Sequence, residues 1–296
     1  MIAEVPLESD TKSLAGAVPG VSPQVYSDKD FRRIAALVRS EAGIVLSDGK
    51  RMLAYSRIAP LLRKSRHSTF SAFLDALEKD SEMKVQTIGA LTTNHTYFNR
   101  EAHHFEHFEN HVRPSLIEHA EKGSPVRIWS AACSSGEEIW TLMMALLGQD
   151  KAMGRKISGM DIIALATDLS GDILSQAKDA QYSKEAISAL PDAIRTNWVV
   201  PAGDMFLIHE TLRKMVRFRQ LNLLRAWPFS TQFDVIFCRN VMIYFDQKTK
   251  NELVYRLAQQ LKPGGTLYVG HSERVVGPAL DLLETCGPTI YQRRAS

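Results

Sequence analysis

Residues 126–140 read VRIWSAACSSGEEIW, and the fold is decided here. Val126 to Trp129 is a short apolar run with β-branched and aromatic side chains, as in a buried strand. Small residues follow from Ser130 to Gly136, and Glu137 and Glu138 then open a helical pattern. Strand, small-residue turn and helix start make the first crossover of a doubly wound sheet, where ligands sit over the strand ends. Small side chains let a ligand approach the backbone, and the first N–H groups of the helix face it. Two carboxylates in the first turn suit the positive end of the helix dipole and disfavour a diphosphate. Neither GxGxxG nor GxxxxGK[ST] occurs. Taken alone, the stretch fits a plain strand-to-helix turn equally well.

Further alternation follows. Ile162 to Thr167 reads as a second strand ending in Asp168, placed where nucleoside-binding sheets hold ribose hydroxyls. Gly136 and Asp168 are 32 residues apart, a distance that a loop from Gly154 to Gly159 would absorb. Leu169 to Ala180 reads as a crossover helix that Ser170 can cap. Residues 182–219 interrupt the pattern: Leu190 to Trp198 looks helical, while Phe206–Ile208 and Met215–Phe218 look like short antiparallel strands of an inserted β element. Asn222 and Leu223 fall at a strand exit. Phe233 to Phe237 is a buried strand, followed by Cys238, Arg239, Asn240 and VMIYF. Gln247 to Leu261 reads as a helix, 262–265 (KPGG) as a sharp turn, Thr266 to Val269 as a strand, and Pro288 to Gln292 as a final antiparallel strand.

Upstream, residues 1–25 are rich in Pro and Gly without periodicity and read as a disordered lead-in. From Ser27 the spacing becomes helical, with helices expected from Ser27 or Asp28, over Lys50 to Lys64, after Ser68 or Thr69, and from Ser81 to about Leu91. Lys50, Arg51, Arg57, Arg63, Lys64 and Arg66 fall within 17 positions that hold no acid. This is either a solvated face or a docking surface for an acidic helix or nucleic acid, and the single aromatic Tyr55 gives base stacking little support. The bridging stretch Leu91 to Phe108 is a polar connector. Its His103, His104 and His107 lack the partner acid or cysteine spacing of a metal site and read as solvated or core-edge histidines.

The 296 residues suffice for a medium domain with a smaller one. Apolar residues at 45% and charged residues at 23% are ordinary for a globular protein, and a net charge of +3 does not demand nucleic acid. No apolar run approaches the roughly 18 residues of a membrane span. Three scattered cysteines without CxxC argue against disulfides and zinc, so a reducing cytoplasm is expected.

These stretches together resemble the CheR family of chemotaxis receptor glutamate methyltransferases, which use S-adenosylmethionine. The resemblance covers residues 27–293 and rests on LTTNHTYFNREAHHF (91–105), WSAACSSGEE (129–138), ATDLS (166–170), FDVIFCRNVMIYF (233–245), and LKPGG with GHSE (261–273). It implies a Rossmann-like methyltransferase sheet with a small antiparallel β insertion, behind an all-helical domain. The implied organisation is a helical receptor-docking domain over residues 26–91 and a methyltransferase domain over 92–296, with the β subdomain at about 190–219. Cofactor contacts are implied at Asn94, Thr96, Arg100, Glu138, Asp168, Asn222, Leu223, Arg239 and Asn240. Arg100 and Tyr244 are implied to lie near the transferring methyl. Residue chemistry agrees: Asp168 can accept from ribose hydroxyls, Asn222 can offer an amide to adenine, and Arg100 can hold a carboxylate in a bidentate fork. The expected partners are methyl-accepting receptors, through their cytoplasmic coiled coils at the membrane array. A monomer, no nucleic acid, no metal and no membrane insertion are expected. The segment from Pro201 to His209 is a few residues shorter than in members that grip a receptor's C-terminal pentapeptide, so pentapeptide-independent binding is expected. Cys133 stands where alanine is usual and reads as a small wall residue.

Two rivals lose ground on particular residues. Base amino-methylation uses an Asn-Pro-Pro-aromatic turn, whereas Asn240 is followed by Val241, Met242 and Ile243; cytosine methylation uses Pro-Cys, whereas Phe237 precedes Cys238. A non-catalytic interaction module would not need the full set of site residues.

Overall fold

The computed structural model describes residues 25–92 and 94–295, so the lead-in read over 1–25 lies, apart from Val25, outside the described residues. The chain divides into two compact units, one comprising residues 25–40 and 46–91, the other 41–45 and the described residues from 92 onward.

In the first unit the apolar spacing produces four helices, α1 (Asp28–Ala42), α2 (Arg51–Lys64), α3 (Phe70–Leu77) and α4 (Ser81–Leu91), with a 3-10 turn over Asp48–Lys50. The Thr69 hydroxyl caps α3 by accepting from the Ala72 amide at 3.3 Å. Phe31, Ile34, Ile58, Phe70, Phe73 and Ile88 form its core. Of the six basic residues singled out, two are engaged inside this unit. Arg51 lies 2.7 Å from Asp28 and stacks over Phe31, while Arg57 donates to the Ala90 carbonyl at 3.4 Å. Lys50, Arg63, Lys64 and Arg66 are exposed.

The second unit holds β1 (Val126–Ala131), β2 (Ile162–Asp168), β3 (Gln181–Tyr182), β4 (Val199–Ala202), β5 (Met205–Ile208), β6 (Val216–Gln220), β7 (Phe233–Cys238), β8 (Leu261–Val269), β9 (Leu283–Gly287) and β10 (Ile290–Arg293). Seven strands form the main sheet in the order β6-β2-β1-β7-β8-β10-β9, and β3-β5-β4 form a small second sheet. The first five strands of the main sheet are mutually parallel, and β10 and β9 close it antiparallel. Strand order reverses between β1 and β7, and in a doubly wound sheet the crevice opens at the carboxyl ends of the strands beside such a switch. The doubly wound sheet with its small antiparallel insertion is therefore as expected. Among the described residues no helix is long and apolar enough to cross a membrane.

Several local expectations are corrected. Met215–Phe218 is no part of the insertion: β6 pairs in parallel with β2 as the sheet edge, its Val216 buried while Arg217 and Arg219 face outward. The small sheet instead takes Gln181 and Tyr182 from just after the second crossover helix. The supposed Gly154–Gly159 loop is mostly helix α8 (Lys151–Ser158), capped by the Asp150 carboxylate; Gly154 is needed because a Cβ there would lie 2.5 Å from the Trp198 ring. The polar connector is turn and coil over 94–101 but ends in helix α5 (Ala102–His107), which runs on through a π-helical segment (Phe108–Val112) into α6 (Arg113–Glu121). Phe105, Phe108, Val112, Leu116 and Ala120 recur at helical spacing and are buried, which outweighs the polar residues between them. Residues 262–265 bulge within β8 rather than precede it, for Phe233 pairs with Leu261 while Val235 already pairs with Thr266. The β9 strand was not foreseen, its residues 284–286 being exposed.

Candidate active site

The turn after β1 is shaped by backbone conformation. Ala132 and Ser134 have positive φ of 65° and 51°, and Gly136 has φ of 100°. At Gly136 a Cβ would meet the Tyr182 hydroxyl at 2.8 Å, so glycine is required to start α7 (Glu137–Leu147). The Cys133 amide donates to the Thr167 carbonyl at 2.8 Å, and the Ser134 amide donates to Asp168 Oδ2 at 2.9 Å. Asp168 also accepts from the Ser170 amide at 3.0 Å, and the Ser170 hydroxyl caps α9 (Gly171–Asp179). Burial raises the Asp168 pKa against the opposing pull of these amides.

At the end of β7 a buried charge network takes over. The Arg239 side chain, 1% exposed, lies 3.3 Å from both Glu101 and Glu138 and packs over Phe105. It also donates to the Arg100 carbonyl. Glu138 accepts from the Ser130 hydroxyl at 2.7 Å; burial raises its pKa, with Arg239 opposing. Burial acts the same way on Glu101, but Arg239 and hydrogen bonds from His271 and Asn240 outweigh it and bring its pKa down to about 2. Asn240 takes φ of 60° and is held by Glu273, whose carboxylate accepts from the amides of Asn240 at 2.9 Å, Met242 at 2.7 Å and Gly270 at 2.6 Å. Its amide Nδ2 donates to Glu101 at 3.1 Å.

The carboxyl ends of β1, β2 and β7 open on one cleft, lined there by Ala132, Asp168 and Arg239. Every residue expected at the donor and transfer site lines it: Asn94, Thr96, Arg100, Glu138, Asp168, Asn222, Leu223, Arg239, Asn240 and Tyr244. Arg100 donates to the His95 carbonyl at 2.8 Å and lies over the Tyr97 ring. The Asn222 amide is engaged on both sides: Nδ2 donates to the Glu41 carbonyl at 2.7 Å, and Oδ1 accepts from the Leu224 amide at 2.9 Å. The Leu223 carbonyl accepts from Trp227 at 3.1 Å and from Arg256 at 2.9 Å. The six basic residues of the helical unit are not among those lining the cleft. Cys133 forms part of the wall, buried, with its thiol pKa raised by that burial.

Sequence reasoning missed Glu101 and the organising role of Glu273. Both stood inside quoted motifs: Glu273 lies just past the exit of β8, and Glu101 lies in the turn that leads into α5, where nothing local marks its pairing with Arg239. The histidines are also resolved. His104 is buried against Thr289 at 2.8 Å, with burial and Arg239 lowering its pKa to about 3. His107 contacts the Tyr268 hydroxyl at 2.9 Å, and His103 is exposed.

Two family models match the chain: "CheR methyltransferase, SAM binding domain" over residues 94–291 and "CheR methyltransferase, all-alpha domain" over 29–92. The chain is similar to a probable chemotaxis protein methyltransferase of Rhizobium etli, 37% identical over 262 residues, or 86% of this chain and 96% of the relative. It is also similar to the chemotaxis protein methyltransferases of Borreliella burgdorferi (38% over 270 residues, 89% and 94%) and Escherichia coli (38% over 257 residues, 83% and 85%). The cleft suits S-adenosylmethionine. A strand-end carboxylate for hydroxyls, small residues with positive φ that admit a close ligand, and carboxylates suited to a cation converge on it. The chain belongs to the CheR family of chemotaxis protein methyltransferases, with S-adenosylmethionine as methyl donor.

Proposed function

We propose that the protein methylates glutamate side chains of chemotaxis receptors, forming glutamate 5-methyl esters and leaving S-adenosylhomocysteine. The observation that carries the reading is that Arg100 and Tyr244 line the same cleft as Asp168, Glu138 and Asn240. When bound, S-adenosylmethionine supplies a methyl group on a positively charged sulfur, and its passage to a carboxylate oxygen cancels two charges without moving a proton. A glutamate with pKa of about 4.3 is already ionised at neutral pH, so no side chain has to act as base. The residues' task is alignment and exclusion of water, which would otherwise stabilise the separated charges. Arg100 holds the acceptor carboxylate by its guanidinium fork, and Tyr244 orients it from across the cleft. Asn94, Thr96, Glu138, Asp168, Asn222, Leu223, Arg239 and Asn240 form the donor side.

In the same reading the helical unit is the docking domain, and its exposed Lys50, Arg63, Lys64 and Arg66 face an acidic receptor coiled coil. The enzyme acts as a monomer in the cytoplasm, recruited to receptor arrays without need of a C-terminal pentapeptide. Transfer of labelled methyl to receptor fragments, followed by peptide mapping, tests the assignment. Label is expected on glutamates and not on nucleic acid, and it should be lost with Arg100→Ala. Near-normal turnover in that variant would retire the role of Arg100, and label on nucleic acid alone would retire the function.

A further inference from the structure

Residues 41–45 belong to the methyltransferase unit although the chain reaches them from α1, well before Thr92. Ala42, Gly43 and Ile44 are buried, and Ala42 and Ile44 line the cleft. The segment is fastened at both ends. At its start the Glu41 carbonyl accepts from Asn222 at 2.7 Å and the Glu41 carboxylate lies 2.6 Å from Arg225. At its end the Val45 amide donates to the Tyr244 carbonyl at 2.9 Å. Between these points Gly43 takes φ of +67°, and a Cβ there would lie 2.3 Å from Leu224 Cδ1 and 3.5 Å from the Phe245 ring. Only glycine both enters this conformation freely and lets the backbone lie so close to Leu224.

We propose that residues 41–45 form a strap that completes the donor cleft, with Asn222 as its anchor and Tyr244 as the residue it positions. Asn222 then acts on the donor through the strap as well as from the cleft wall. Glu41, Gly43 and Val45 are positioning residues, while Ala42 and Ile44 supply apolar wall that residues 92–296 alone lack. The inference rests on the cleft being the S-adenosylmethionine site and deepens that reading.

The test uses the full chain and calorimetric titration with S-adenosylmethionine and S-adenosylhomocysteine. Gly43→Ala forces a Cβ into left-handed backbone and against Leu224, so donor affinity should fall about tenfold or more. Ile44→Val keeps the backbone and trims the wall at modest cost to the fold; it should weaken both ligands, and it carries the test should Gly43→Ala not fold. Val45→Pro removes the amide that holds Tyr244, so kcat should fall more than donor affinity. Wild-type affinity in a folded Gly43→Ala or Ile44→Val variant overturns the strap. A wild-type chain that binds neither ligand overturns the donor-site reading instead, so the two failures are distinct.

Discussion

Replacing Arg239 by methionine removes the one cation between Glu101 and Glu138 while roughly keeping the volume of its stem. The Arg239 side chain is 1% exposed, and those of the two carboxylates are 10% and 12% exposed, so water cannot readily replace it. Removing one member of such a buried pair costs about 3–5 kcal/mol, because the remaining charge is left desolvated. At about 2–4 °C per kcal/mol for a unit of this size, the thermal midpoint should fall by roughly 10 °C at pH 7.5. The pH dependence identifies the cause. In the native protein Glu101 titrates at about 2 instead of 4.5, so its stabilisation is present above about pH 4.5 and is lost as pH falls toward 2. Without Arg239 the already raised pKa of Glu138 is pushed further up, because the largest influence opposing its burial is gone. That destabilises the fold at high pH and ceases to do so as pH falls through the raised value. The deficit of Arg239→Met against wild type should therefore shrink between pH 7.5 and pH 5, read by scanning calorimetry. A deficit under about 2 °C, or one that is equal at both pH values, would refute the reasoning.

Binding of a cationic donor should draw the raised pKa values of Asp168 and Glu138 downward, releasing protons. Affinity should then rise with pH across the acid range, and calorimetry in buffers of different ionisation enthalpy should register the release; proton uptake would contradict it. Cys133 and Cys238 are buried with thiol pKa values pushed well up, whereas Cys286 is exposed, so Ellman's reagent should titrate one thiol in the native protein and three after unfolding. Charge reversal at exposed Arg63 and Lys64 should raise the receptor KM and flatten its salt dependence while leaving donor affinity unchanged. A fall in donor affinity instead would show that these side chains serve the fold or the cleft.

Strands buried on both faces were the easiest to read. In β1, β2 and β7 nearly every residue is β-branched, aromatic or small, and little else in the chain fits such a run. Edge elements were hard for the opposite reason. The sequence VRFRQ of β6 alternates buried and exposed positions as an antiparallel strand would, because its outer edge faces solvent. The α5–α6 stretch was hidden by its histidines, although Phe105, Phe108 and Val112 keep helical spacing beneath them. In the cleft, residues at strand exits could be named from their motifs. Two features could not be seen: that Glu101 shares Arg239 with Glu138, and that residues 41–45 return to the cleft. Both depend on pairings across more than a hundred positions, and no local periodicity records them.

On the proposed function one cleft receives a cation and an anion, and the distribution of charge is suited to both. An uncompensated guanidinium on its floor would oppose the sulfonium by about 4 kcal/mol at 4 Å in a medium of effective dielectric 20. Arg239 avoids this by lying between two carboxylates, so it organises the Arg100 carbonyl and the Phe105 ring without presenting net positive charge. Arg100 has the opposite surroundings. It is half-buried, its recorded partners are the His95 carbonyl and the Tyr97 ring, and among the described residues it makes no ion pair. Its charge therefore remains available to an incoming carboxylate. On the proposed reading the buried arginine builds the donor side and the half-exposed one recruits the acceptor. Exchanging their surroundings, by placing a carboxylate beside Arg100, would be expected to cost acceptor binding long before it cost the fold.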